Sequence, residues 1–149
     1  MAISLNEFAD RLNKIMPVIM KGFARRSTNE LYKGKITLPQ LLVLAYLDEQ
    51  GESRMTDLAR FMKVSTAAMT GIVDRLVRHG YLLRVYDPKD RRIIKVKLNA
   101  KGASLIKKIA QQRRKMVINV FGKISETERE DYLRILTRIR DILTKEERS

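Results

Sequence analysis

The sequence predicts a mostly α fold of the α+β class, and three observations carry that expectation. Apolar residues recur at steps of three and four along most of the 149-residue chain, the spacing of one face of a helix. One stretch, "IIKVKL" at 93–98, switches to strict alternation, with Ile94, Val96 and Leu98 on one side and Lys95 and Lys97 on the other, the pattern of a half-buried strand. Helix-start and helix-stop residues bracket the periodic stretches.

The elements follow in order. Leu5 to about Leu31 places Leu5, Phe8, Leu12, Ile15, Ile19 and Phe23 on one stripe of an amphipathic helix. Pro17 inside it is expected to kink the helix or start a new segment. "YKGKI" breaks the pattern at Gly34. Thr37 as cap, Pro39 in the first turn and Gly51 at the end bracket a second helix, "LPQLLVLAYLDEQ", apolar on most sides and so expected near the centre. "MTDLARFMKV" and "STAAMTGIVDRLVRHG" read as two short helices split by a tight "KVS" turn, with Ser65 capping the second and Gly80 ending it. "YLLRVY" and "IIKVKL" form a hairpin around a loop longer than a minimal turn. Asn99 caps a long helix from about Lys101 to Phe121, and "SETE" at 125–128 is a capping-box signature for a last helix. That helix carries Tyr132, Ile135, Leu136, Ile139, Ile142 and Leu143 on one stripe.

This order describes a winged helix-turn-helix flanked by helices with long apolar stripes. The expected organisation is an N-terminal dimerisation helix at 1–36, a winged helix-turn-helix DNA-binding lobe at 37–100 and C-terminal dimerisation helices at 101–149. The small central lobe cannot cover the terminal stripes, and an uncovered stripe of that size marks an interface, here with a second copy of the chain.

Composition narrows the partner. There are 31 basic against 17 acidic residues, a net charge of +14, with +2 in residues 1–50 and +6 in each of 51–100 and 101–149. A basic middle and end point to an anionic partner, with nucleic acid the leading candidate. No run of apolar residues is long enough for a membrane span and no signal-peptide layout opens the chain, so a cytoplasmic protein is expected. The chain has no cysteine and one histidine, His79, which leaves no thiol redox chemistry and no ordinary zinc site. No paired nucleophile and base, phosphate loop or metal cluster stands out, so neither an enzyme nor a cofactor is expected. Most methionines, among them Met16, Met20, Met62, Met69 and Met116, lie on apolar stripes and read as core filling.

The second short helix carries Met69, Ile72, Val73 and Leu76 inward. Its opposite face holds Ala67, Thr70, Gly71, Asp74 and Arg78, with Arg75 at the edge and Ser65 and Thr66 at the N-terminus. Hydroxyls at the front and basic residues at the rear suit a helix entering a major groove tip first. The hairpin loop packs Asp87, Pro88, Lys89, Asp90, Arg91 and Arg92 at its tip. Arginines there support no core; they suit a wing that reaches a narrow, negative minor groove. Asp87 and Asp90 are expected to shape the turn, and Asp90 to hold one arginine, with Arg91 a candidate for that pairing. His79 reads as a cap or phosphate contact.

The segments "LPQLLVLAYL", "LARFMKVSTAAMTGIVDRLVRHGYL" and "DPKDRRIIKVKLNAKG", in that order, resemble the MarR family of bacterial transcription regulators over roughly Thr37 to Gly102. The resemblance implies a homodimer built from the terminal helices and binding a palindromic operator as a repressor. It also implies a small, often aromatic, anionic effector bound between the dimer helices and the lobe. Carried over by position, Ser65, Thr66, Ala67, Thr70 and Arg75 fall on the recognition helix, and Asp90 and Arg92 on the Asp-x-Arg pattern of the wing. Arg78 and Arg91 complete the DNA-binding set read from the residues. Gly71 departs from the family, where a larger residue is common, which shifts weight from base reading to shape and phosphate contacts. The competing expectation is an architectural DNA-binding protein of low sequence preference.

Overall fold

The computed structural model describes residues 2–26 and 36–148. The elements are α1 (Leu5–Arg26), α2 (Leu38–Gln50), β1 (Ser53–Arg54), α3 (Met55–Met62), α4 (Thr66–Arg78), β2 (Leu82–Tyr86), β3 (Ile94–Leu98), α5 (Ala100–Phe121) and α6 (Glu126–Glu147). The mostly α architecture with a small sheet is as expected. The expected continuation of the first helix to Leu31 and the break at Gly34 lie outside the described residues. Two compact units divide the chain, Met1–Gln112 and Arg113–Ser149.

In the first unit, α2 sits at the centre. Thr37 and Gln40 form a reciprocal capping box: the Thr37 hydroxyl accepts from the Gln40 amide at 3.3 Å and the Thr37 amide donates to Gln40 Oε1 at 3.0 Å. Leu41, Val43, Leu44 and Leu47 of α2 are buried against Leu58 and Ala59 of α3, Met69, Val73 and Leu76 of α4, Leu82 and Val96 of the strands, and Leu105 and Ile109 of α5. Fully burying one such side chain contributes about 1.5–3 kcal/mol, so this cluster holds the lobe together.

The turn between α3 and α4 takes three residues. Lys63 adopts the left-handed conformation (φ 53°), which lets the Val64 amide reach back to the Ala59 carbonyl at 3.1 Å. Ser65 then caps α4, its hydroxyl accepting from the Ala68 amide at 3.1 Å. Gly80, at φ 80°, turns the chain out of α4.

The sheet has three antiparallel strands in the order β1-β3-β2 rather than the two expected. Strand β1 pairs Ser53 with Val96 and Arg54 with Lys95. The hairpin pairs Leu82 with Leu98 through Tyr86 with Ile94. Two residues are too few to show a period, so β1 left no mark in the sequence pattern.

The start of α5 is clamped to the turn that follows α4. The Asn99 side chain accepts from the Gly102 amide at 2.8 Å and donates to the Gly80 carbonyl, and the Asn99 amide donates to the Tyr81 carbonyl at 3.2 Å. Gly102 is buried with its Cα against that strand entry, where an added Cβ would stand 2.2 Å from the Tyr81 oxygen. Lys101 Nζ donates to the His79 carbonyl at 2.9 Å and lies 4.8 Å from the centre of the Tyr81 ring.

Helix α1 runs unbroken through Pro17. Proline removes one backbone bond, and the remaining turns of a 22-residue helix carry it, so no new segment begins there. None of its residues is buried. The core-filling reading of the methionines therefore holds for Met69 and Met62, which are buried in or packed on the core, but not for Met16 and Met20, which are exposed.

In the second unit, Ser125 and Glu128 form the expected capping box of α6, with the Ser125 amide donating to Glu128 Oε2 at 2.7 Å. That amide first, and the serine hydroxyl second, hold the Glu128 carboxyl below the usual glutamate range. Arg129 donates to the carbonyls of Phe121 and Ile124 at 3.0 and 2.6 Å, closing the end of α5. The Phe121 and Tyr132 rings stack at 5.4 Å. They line an apolar groove of about 320 Å³ with Val117, Leu133 and Leu136. The stripe of α6 from Tyr132 to Leu143 is exposed along its length.

Candidate nucleic-acid interface

Helix α4 faces inward through Met69, Val73 and Leu76, all fully buried, and that choice of face fixes what it shows outward. Ser65, Thr66, Ala67, Thr70, Gly71, Arg75 and Arg78 are exposed. Two of the hydroxyls are already engaged. Ser65 caps the helix, and the Thr70 hydroxyl donates its hydrogen to the Thr66 carbonyl at 2.9 Å. Thr70 can then only accept from an outside group.

The wing tip is organised by its two aspartates, as expected. Asp87 Oδ1 accepts from the amides of Lys89 and Asp90 at 2.8 and 3.2 Å, and the Asp87 amide reaches the Ile93 carbonyl at 3.1 Å. Asp90 holds Arg92 rather than Arg91. Its Oδ1 accepts from the Arg92 amide at 3.0 Å and from Nε at 3.1 Å, and Oδ2 accepts from Nη2 at 3.1 Å. The spacing of two residues lets one carboxylate serve both the backbone and the fork of the same arginine, which the adjacent Arg91 cannot match. The Arg92 side chain hydrogen bond first, and its backbone second, hold Asp90 below the ordinary aspartate range. The Arg92 side chain is nonetheless 91% exposed. It is aimed without being covered. Arg91 is exposed beside it.

Between α4 and the wing lies a cleft of about 290 Å³ lined by Arg54, Met55, Thr56, Thr66, Thr70, Arg84, Arg92, Ile93 and Ile94. Of the residues expected to contact DNA, the structure brings Thr66, Thr70 and Arg92 together here. Ser65, Ala67, Arg75, Arg78, Asp90 and Arg91 are not among its lining residues. Arg54, Thr56 and Arg84 escaped the sequence reading. For Arg84 a signal existed. It shares the parity of buried Leu82 on β2, and a cation at an inward position needs a partner. The partner is Asp74, whose carboxylate pairs with the Arg84 guanidinium and so ties α4 to the wing. Arg54 sits on the two-residue strand and gave no such sign.

Three guanidinium groups around one concave face, with a helix N-terminus at its side, make a surface for a polyanion. Among the described residues no group of histidines, cysteines or carboxylates could hold a metal ion, and no helix is long and apolar enough to cross a membrane.

Residues 36–94, which hold α2 through the start of β3, match the model of the MarR family. Over this stretch the chain resembles that family. It is 26% identical over 115 residues to the transcriptional repressor MdtR of Bacillus subtilis, covering 77% of this chain and 69% of the relative. The solved structure of a MarR family protein from Bacillus stearothermophilus is 26% identical, with a TM-score of 0.77 over 96% of this chain and 99% of that one. A mutant MarR of E. coli, solved in complex with operator DNA, shares the fold at 22% identity and a TM-score of 0.63, covering 92% and 99% of the two chains. The winged helix-turn-helix lobe of this chain is thus similar to that of MarR-type transcription regulators.

Proposed function

We propose that this chain represses transcription by binding a palindromic operator as a homodimer, with Ser65, Thr66, Ala67, Thr70, Arg75 and Arg78 on the groove-entering helix and Asp90, Arg91 and Arg92 on the wing. The observation that carries the reading is the wing tip. The Asp90 carboxylate accepts three hydrogen bonds, all from Arg92, yet Arg92 remains 91% exposed, an arrangement that contributes little to a fold and much to a contact. Arg54 and Arg84 in the adjoining cleft join the contact surface. The neighbour solved with operator DNA supports the partner, and the repressor MdtR supports the direction of control.

The exposed stripes of α1 and α6 support the homodimer. Leu5, Phe8, Leu12, Ile15 and Ile19 on one, and Tyr132, Ile135, Leu136, Ile139 and Leu143 on the other, are too much contiguous apolar surface for a chain on its own. A two-fold pair would set its recognition helices about 34–36 Å apart, matching successive major grooves. Release by a small aromatic or anionic effector completes the reading; such a ligand acts only by binding the DNA-incompetent arrangement more tightly. The regulator would work in the cytoplasm, with its DNA.

A low-specificity architectural role is favoured by one observation, the net charge of +14 beside a recognition face of small side chains. Selection of bound duplexes from a random pool separates the two. A regulator enriches an inverted repeat with a fixed half-site spacing. A pool that stays random after repeated rounds overturns the operator reading.

A further inference from the structure

We propose that Gly71 is a fitting residue: by lacking a side chain it lets the backbone of α4 lie against the DNA surface, so that position 71 contributes depth of insertion rather than a hydrogen bond. This rests on the DNA-binding reading above and adds to it a residue that governs preference for the right duplex.

Gly71 stands in the middle of the 13-residue α4, on its exposed face, one turn beyond Ala67. Nothing within the described chain requires glycine there. A Cβ built on Gly71 meets no atom within 4 Å, and the backbone is not in the left-handed region. Two other glycines show what a requirement looks like. Gly80 has φ 80°, and a Cβ on Gly102 would stand 2.2 Å from the Tyr81 oxygen. A glycine inside a helix lowers stability relative to alanine, so the fold by itself favours alanine at 71. The space beside Gly71 is open, so a body outside the described chain can come up to the helix backbone there.

The neighbours say what approaches it. Thr70 lies beside Gly71 in sequence and lines the arginine cleft, while Arg75, one turn on, is exposed. A body that touches Gly71 thus runs from the cleft towards Arg75 and is anionic, which fits a groove of duplex DNA flanked by its phosphates. With the Thr70 hydrogen donated to the Thr66 carbonyl, Thr70 offers a base edge no donor, and closeness of fit at Gly71 adds to what this stretch can discriminate.

The test compares the parent with Gly71→Ala and Gly71→Leu in two measurements. In thermal denaturation Gly71→Ala is expected to melt above the parent, showing an intact fold. In fluorescence anisotropy on the duplex selected from a random pool, Gly71→Ala is expected to bind about tenfold more weakly, the scale of one good specific contact, and Gly71→Leu more weakly still. Binding to a random-sequence duplex of equal length is expected to change less than about twofold, because phosphate contacts dominate there. A Gly71→Ala protein that melts higher and binds the selected duplex as tightly as the parent overturns the proposal while leaving the regulator reading standing. A parent that does not prefer the selected duplex over the random one overturns both.

Discussion

In the proposed contact with DNA, Arg92 is the side chain expected to matter most. Arg92→Ala is expected to weaken binding to the selected duplex by about 1–3 kcal/mol. The slope of affinity against salt should become shallower by about one counterion per subunit. Melting should hardly change, since the side chain is at a solvated loop tip; anisotropy at several salt concentrations beside a melting curve checks all three. The same contact has a definite pH sign. Asp90 titrates below the ordinary aspartate range, because Arg92 donates to it from the side chain and then from the backbone. A carboxyl lowered in the folded state contributes order that is complete above its unfolded value and is lost only as pH falls through the folded one. The wing tip is therefore expected to be unchanged between about pH 5 and 8, which the chemical shift of the Arg92 side-chain N–H would report. Two adjacent arginines at a turn suggested a contact in the sequence, but which of them Asp90 holds was not visible there, since that depends on the local path of four residues. Arg84 was missed for a related reason. Its role is set by Asp74, ten residues earlier, and only the packing of α4 on the strand brings them together.

Elements were legible wherever their ends carry chemistry. Thr37, Ser65 and Ser125 with Glu128 each cap a helix as the sequence implies, and Gln40 adds a reciprocal bond to the first of them. Ser125→Ala is expected to cost about 1 kcal/mol, measured by denaturant unfolding, as the exposed α6 loses its first-turn partner. Elements without such ends were harder. The strand β1 has two residues and no signature, and Pro17 announced a break that the length of α1 absorbs. The wing is held to α4 by the pair of Asp74 and Arg84 across two elements, partly exposed on both sides. Asp74→Ala is expected to reduce stability by no more than about 1 kcal/mol, as for other partly exposed pairs. It should weaken DNA binding by more than that, because the cleft loses the fixed position of one arginine. Urea unfolding and anisotropy on the same protein separate the two effects.

At the scale of the whole molecule, the apolar stripes of the terminal helices were plain in the sequence and are exposed on the single chain, and the expectation that a second copy covers them goes beyond the periodicity, because a periodic stripe names a face without naming its partner. In the proposed homodimer, Leu136→Glu with Ile139→Asp should leave each chain folded, since both side chains are exposed on the single chain, and should abolish association. Sedimentation of the parent at twice the chain mass, and of the double variant at the chain mass with unchanged helical content, is the expected pair of results. The clamp between Gly102 and the Tyr81 carbonyl has a consequence at this scale. It leaves no slack between the end of the recognition helix and the first turns of α5, so α5 is a handle by which the lobe is held. In the proposed homodimer two recognition helices must land together on major grooves about 34–36 Å apart. In the proposed homodimer on its operator, such a lobe takes its angle from α5, and the operator becomes a gauge of that angle.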